Sequence, residues 1–383
     1  MQRMLFGQEC DVMHRAKEKG KAENAMDIIA RNSRAEQYIC AARKNFIMRG
    51  APDCLSESGS RMLIGHFTDL HGDAERFQNA LTFFRHFQPD FAIHTGDLVK
   101  WNTEDDSDYF FDGIKDFPIP IYNCIGNHDT FSDSGQHKRK YLYERFIKPL
   151  KGIQGSSGKC YYYVDFDEKK VRLIVLNDYD NEQDGVCAIL QEQCDWLIGV
   201  LKEAAEKQYG VIIAAHESQE EVDTLEKRGK FCQRYNVHPW KKPLPKPLVI
   251  PDIVDAFRNG KTLKKSYEWW YSCTERIHID CSFQKRGEFI CYLCGHRHSD
   301  WIGYLQSYPD QLSMTMTCSG CFPPEYHNIG EEVSDLPRIP GTVTEDAVNF
   351  YIIDRIKKTI AVVRVGACVN DLFEERLYEI YKY

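Results

Sequence analysis

Five short clusters of polar residues in this chain could do chemistry together. They are Asp69 and His71 in a D-x-H pair, Gly96-Asp97, the turn Gly126-Asn127-His128-Asp129, a single His216, and Gly295-His296-x-His298. Each ends an apolar run, and runs with their clusters span 61–71, 90–97, 120–129, 209–216 and 288–298. A buried strand that stops at a polar turn puts its ligands beyond the carboxyl end of a sheet, where α/β folds bind them. Carboxylate and amide oxygens mixed with imidazole nitrogens, with no thiolate required, suit borderline divalent transition metals better than magnesium or calcium. One ion takes about four to six such ligands. The inventory is therefore large enough for two ions bridged by one carboxylate, an arrangement that clamps both oxygens of a displacement at phosphorus.

The elements that must hold these clusters can be read from periodicity. Glu75–Phe87 and Ser107–Ile114 read as helices between the first three apolar runs, and 189–207 places Leu190, Trp196, Leu197, Val200 and Leu201 on one helical face. Cys160–Phe166 with Val171–Asn177, and Val348–Asp354 with Thr359–Val365, read as hairpins around polar turns. Strands both before and after the crossover helices imply two packed sheets flanked by helices. Residues 22–48 have near-helical apolar spacing, broken by Pro52 and the Ser56–Ser60 stretch, so 1–60 is expected to be a helical extension with a linker. His66 and His94 fall inside the strands, before the ligand positions, and read as packed core histidines.

The composition fits a protein with a sizeable core. Of 383 residues, 43% are hydrophobic and 28% charged. A net charge of −8 argues against broad electrostatic binding to nucleic acid or anionic membrane, but not against a phosphate ester beside bound dications. No apolar stretch approaches the ~20 residues of a membrane span. The first residues lack the apolar core of a secretory signal. Fifteen cysteines, an odd number, fit reduced thiols, and a cytoplasmic location is expected. Cys291-x-x-Cys294 and Cys318-x-x-Cys321 have a spacing not far from a zinc ribbon. Residues three apart on a strand face opposite ways, however, which keeps Cys291 and Cys294 from sharing an ion.

The ordered series D-x-H, G-D, G-N-H-D, H, G-H-x-H resembles the calcineurin-like metallophosphoesterase superfamily, from about Met62 onward. The resemblance implies a four-layer αββα sandwich of two mixed sheets flanked by helices, over 61–383. It also implies two divalent transition-metal ions, Mn2+, Fe2+ or Zn2+. Asp69, His71 and His298 would hold the first ion, Asn127, His216 and His296 the second, and Asp97 would bridge them. A hydroxide between the metals would attack phosphorus, with His128 beside the leaving oxygen as proton donor or charge stabiliser.

Two departures narrow the expectation. Protein serine/threonine phosphatases of the superfamily carry, where Lys100 stands, an aspartate that pairs with the histidine matching His128. That partner is missing, which argues against protein phosphatase activity and leaves the orientation of His128 open. Purple acid phosphatases place a tyrosine ligand at the same position, so a ferric–tyrosinate centre is not expected. What remains is a hydrolase of small-molecule phosphomonoesters or phosphodiesters. Two alternatives are an inactive scaffold of the same fold, or a nuclease if the segment 217–287 supplies a basic groove. That segment, inserted between two ligand strands and carrying Trp269 and Trp270, reads as a substrate cap or as an insertion anchored to the core by those rings.

Overall fold

The computed structural model describes residues 61–100, 107–130, 138–180, 187–219, 247–268, 276–296, 298, 301–316, 318–320, 346–366 and 378–383. The expected helical extension over 1–60 lies outside them, as do Trp269, Trp270 and Cys321.

The described chain enters at β1 (Arg61–Phe67), passes through α1 (Ala74–Phe87) to β2 (Phe91–His94), and through α2 (Asp108–Ile114) to β3 (Ile121–Asn123). A 3₁₀ turn (His128–Thr130), α3 (Lys138–Leu142) and a π-helical turn (Tyr143–Ile147) lead to the hairpin of β4 (Tyr162–Phe166) and β5 (Val171–Val175). From there α4 (Gln191–Lys207) leads to β6 (Gly210–Ala214). Next come α5 (Val249–Asn259), a hairpin of β7 (Thr262–Glu268) and β8 (Arg276–Ser282), and β9 (Glu288–Cys294). The strands β10 (Trp301–Tyr304), β11 (Leu312–Thr315), β12 (Ala347–Asp354), β13 (Thr359–Gly366) and β14 (Tyr378–Lys382) complete it.

The strands form two six-stranded mixed sheets, ordered β14-β13-β12-β1-β2-β3 and β10-β11-β9-β6-β5-β4, with β7 and β8 as a separate pair. In the first, β1, β2 and β3 run parallel while β12 to β14 are antiparallel to their neighbours. In the second, β5, β6, β9 and β11 run parallel. Period-two alternation builds the layers of the second sheet. Leu173, Val175, Ile212 and Ala214 join the core shared with β1, β2 and β12, whereas Ile174, Val211 and Ile213 face α4 and α5. Cys291 and Cys294 divide between these two cores, so the strand geometry separates them as the sequence reading requires.

Helix α1 covers the first sheet with Phe77, Leu81 and Phe84, and burial of each such side chain stabilises by about 1.5–3 kcal/mol. Its start is capped by Asp73, whose carboxylate accepts from the Arg76 N–H at 3.0 Å. Helix α5 packs its apolar side chains Val249, Ile253, Val254 and Phe257 into the core against α4 and the second sheet. The described part of the 217–287 segment is thus a crossover from β6 to its parallel neighbour β9, with an added hairpin. At the end of the sheets remote from the ligand clusters, Glu288 accepts from Arg355 Nε at 3.1 Å and Lys358 Nζ at 2.6 Å, which ties β9 to the β12–β13 turn of the other sheet.

Candidate metal centre

Three of the five clusters stand at the carboxyl ends of β1, β2 and β3 in one sheet, and two at those of β6 and β9 in the other. Parallel order within each sheet brings these ends to the same side. The two sets are sewn together across the sheets. His216 donates its Nδ1–H to the Thr95 carbonyl at 2.7 Å, and the His296 N–H donates to Asp69 Oδ2 at 3.0 Å. Within the first sheet, the Asp69 N–H donates to the Gly96 carbonyl and the His71 N–H to the Asp97 carbonyl, both at 3.0 Å.

The backbone at these turns is unusual. Asp69, His71, Asp97, His296 and His298 all have positive φ, between 48° and 67°. A left-handed conformation is uncommon for non-glycine residues, and such outliers cluster at functional sites. The loops also approach one another closely. A Cβ on Gly126 would lie 2.2 Å from Asp97 Oδ1, and one on Gly295 would lie 2.0 Å from Thr68 Oγ1, so only glycine fits at either place.

All eight residues singled out in the sequence come together here. Asp69, His71, Asp97 and His298 present donor atoms within 4.8 Å of one another, and so do Asp97, His216 and His296. Asp97 belongs to both groups. Its Oδ1 accepts the His128 N–H at 2.8 Å, while Oδ2 faces His216 Nε2 at 3.3 Å and His71 Nε2 at 3.9 Å. Asp69 divides its oxygens in the same manner: Oδ2 accepts from the Thr68 hydroxyl at 2.6 Å, and Oδ1 faces His298 Nε2 at 3.3 Å. Asn127 Oδ1 lies 2.9 Å from His296 Nδ1 and 3.2 Å from His216 Nε2. The His128 ring stands edge-on to His71, their centroids 4.6 Å apart.

The donor chemistry tests whether cations fit. The Thr95 carbonyl can only accept, so His216 carries its proton on Nδ1 and turns a lone pair from Nε2 toward the site. Asn127 Oδ1 is also an acceptor. Lone pairs converging on one point repel unless a proton or a cation sits among them. Electrostatics agree: burial opposes a charge on His216, but Asp97 beside it outweighs burial and raises the ring to about 10. Burial likewise opposes ionisation of Asp97, yet His216 and His71 hold its carboxyl well below the usual range. Burial lowers His71 to about 3, which leaves a neutral ring at neutral pH. The residues present fit two bound dications.

Sequence reasoning missed three contributors. Asp129 is fully buried and accepts four backbone N–H groups, those of Asp97, Leu98, Val99 and Gly126, at 2.8–3.1 Å. Burial and the Asp97 charge push its carboxyl up to about 7, against the pull of the Gly126 and Val99 N–H groups. The motif G-N-H-D carried the signal, since an aspartate beside a glycine turn is suited to bind backbone amides. Glu217, one residue after His216, lies 3.2 Å from His296 Nε2, and the Tyr179 hydroxyl donates to it at 2.7 Å. Neither had a motif to mark it. His66 and His94 are buried and hydrogen-bonded, to Tyr351 and Thr95 in one case and Asn123 in the other. The loop at Ser319 and Gly320 docks on the Asp69 turn through N–H donations to the Thr68 and Asp69 carbonyls.

The sequence pattern of the calcineurin-like phosphoesterases matches residues 62–300. The chain belongs to that family. As a calcineurin-like phosphoesterase it is a hydrolase acting on phosphoric ester bonds, and enzymes of this family use a binuclear divalent metal centre. Its sequence is 35% identical over 257 residues to a Moraxella catarrhalis protein named a probable cyclic nucleotide phosphodiesterase, a match covering 66% of this chain and 74% of that one. The fold is similar to that of a dimetal phosphatase from Danio rerio, with a TM-score of 0.51 over 84% of this chain and 99% of the other, at 12% identity. Among the described residues no helix is long and apolar enough to cross a membrane.

Proposed function

We propose that this phosphoesterase hydrolyses a small-molecule phosphodiester, with cyclic nucleotides the first class to test. In this reading Asp69, His71 and His298 hold one ion, Asn127, His216 and His296 hold another, and Asp97 bridges them. The observation that carries it is Asp97, whose Oδ2 faces histidines of both groups while Oδ1 is occupied by a backbone N–H. Two dications bound there would neutralise phosphoryl oxygens and supply a water acidified enough to act as nucleophile. The nitrogen and oxygen donor set favours Mn2+, Fe2+ or Zn2+ over harder ions.

The chain's own residues do the remaining work. Asp97 spends Oδ1 on the protein and aims Oδ2 inward, while Asp69 turns Oδ1 to His298. His216 is locked in the tautomer that offers Nε2. His128 is anchored through Nδ1, and in this reading its Nε2 would serve the departing oxygen. The name of the Moraxella relative supports a diester over a monoester. The fifteen cysteines support a cytoplasmic location.

The test is elemental analysis of the purified chain followed by turnover of bis(nitrophenyl) phosphate, nitrophenyl phosphate and cyclic nucleotides with each metal. About two ions per chain are expected, with diesters cleaved faster than the monoester. Faster monoester cleavage would overturn the substrate class, and a chain that takes up no metal would overturn the reading.

A further inference from the structure

Two imidazoles of the second ligand group are oriented by different kinds of group. His216 leans on a neutral acceptor, the Thr95 carbonyl, at 2.7 Å. His296 leans on a carboxylate: Glu217 Oε1 stands 3.2 Å from Nε2, across the ring from the Nδ1 that faces Asn127 and His216. Glu217 is itself held from two sides. The Tyr179 hydroxyl donates to the same Oε1 at 2.7 Å, and the Glu217 N–H donates to Asp178 Oδ2 at 2.7 Å. Tyr179 is fixed in turn by its own N–H on Asn177 Oδ1, and Asn177 by its N–H on Gln193 Oε1 in α4. Glu217 and Tyr179 are largely buried, with Glu217's side chain 12% exposed and Tyr179 1% exposed.

We infer that Glu217, braced by Tyr179, is the positioning residue of the second metal site: it accepts the His296 Nε2–H and thereby presents the Nδ1 lone pair to the ion. This rests on the ligand assignment proposed above. The physical reason is twofold. A carboxylate that can only accept fixes which ring nitrogen carries the proton. Its charge also makes the opposite nitrogen a stronger donor, the usual effect of a carboxylate behind a ligand histidine. The adjacent pair His216-Glu217 therefore serves two imidazoles, supplying one as ligand and steering the other. The group is placed behind His296, on the side away from Nδ1, so it acts through the ring.

The inference is tested by titrating metal-stripped full-length protein with Mn2+ alone and following binding by calorimetry. Glu217→Leu should weaken one of the two ions by 10–100-fold and leave the other at its wild-type affinity. Glu217→Gln, whose side-chain carbonyl still accepts the Nε2–H but carries no charge, should fall between Leu and wild type. Tyr179→Phe should have the smallest effect. A His296→Ala control separates the two levels of the argument. If His296→Ala loses one ion while Glu217→Leu binds both as wild type does, Glu217 has no positioning role. If His296→Ala itself keeps both ions at wild-type affinity, the ligand assignment fails instead. Equal weakening of both ions in Glu217→Leu and Glu217→Gln, with a lowered Tm of the metal-free protein, would reduce Glu217 to a structural residue and overturn the inference.

Discussion

The Nδ1–H of His128 donates to the main-chain carbonyl of Lys100 at 2.6 Å. Related protein phosphatases use an aspartate side chain at this position for the same task. Here the Lys100 main-chain carbonyl takes that contact, which any residue at position 100 could offer. The His128 N–H also donates to Asp97 Oδ1, which fixes the turn on the proposed bridging residue. With Nδ1–H on a carbonyl, Nε2 is the nitrogen left for the proposed proton transfer.

His128→Ala should accordingly keep its metal content while kcat falls by about 10²–10⁴. The loss should be greater on an alkyl ester, whose leaving oxygen needs the proton, than on a nitrophenyl ester. Equal losses on both would remove the acid role. Lys100→Ala, which preserves the carbonyl, should leave kcat little changed, and a loss matching that of His128→Ala would show that the side chain does contribute.

Asp97→Asn should lower binding of both ions, since one oxygen faces both ligand groups. Asp69→Asn and His298→Ala should weaken chiefly the ion of their own group. Metal analysis after gel filtration distinguishes these cases. Two ions retained by Asp97→Asn with full turnover would end the bridging assignment.

Asp129→Asn should destabilise the fold as well as the site. Each carboxylate oxygen accepts two backbone N–H groups, and the amide nitrogen that replaces one oxygen is a donor facing donors. Two buried N–H groups lose their acceptor, a loss on the order of 3 kcal/mol. Urea denaturation of the metal-free protein should register it, and a variant as stable as wild type would mean that water or a shifted loop replaces the carboxylate.

A pH dependence is expected at the opposite end of the sheets. Burial opposes ionisation of Glu288, but Arg355 and Lys358 outweigh it and hold its carboxyl below the usual glutamate range. The folded pKa lies below the unfolded one, so the contribution to stability is present above about 4.3 and fades as pH falls through the folded value. Glu288→Gln should be less stable than wild type at pH 7, with the gap closing in acid. A gap that is constant from pH 7 to pH 3 would show that the ion pair contributes nothing of its own.

The sequence made the strands and their terminal clusters legible because two signals coincide there: an apolar run, and side chains that bind metal. It was less informative where geometry is made by unmarked groups. The Lys100 carbonyl is invisible in a sequence, since every residue has one. Glu217 and Tyr179 lie 38 positions apart, and only the parallel pairing of β5 with β6 makes them neighbours. Asp129 stood in plain view within its motif, but its service to four amides depends on how the Asp97 turn folds back onto it. Helix α5 carries Pro251, a residue that usually breaks a helix, and tolerates it because it falls in the first turn.

The left-handed turns at Asp69, His71, Asp97, His296 and His298 bear on how such an enzyme can change over generations. Holding a non-glycine residue in that conformation costs about 1 kcal/mol, so the five together approach 5 kcal/mol, comparable with the net stability of many domains. Glycine at any of them would relax the backbone while deleting a proposed ligand. Glycine at these positions therefore recovers backbone strain, and alanine, which removes the same side chain without relaxing the turn, does not. A lineage released from the need to hydrolyse its ester would drift toward a sturdier, silent version of the same sandwich, and glycines at these five turns would be the mark it left.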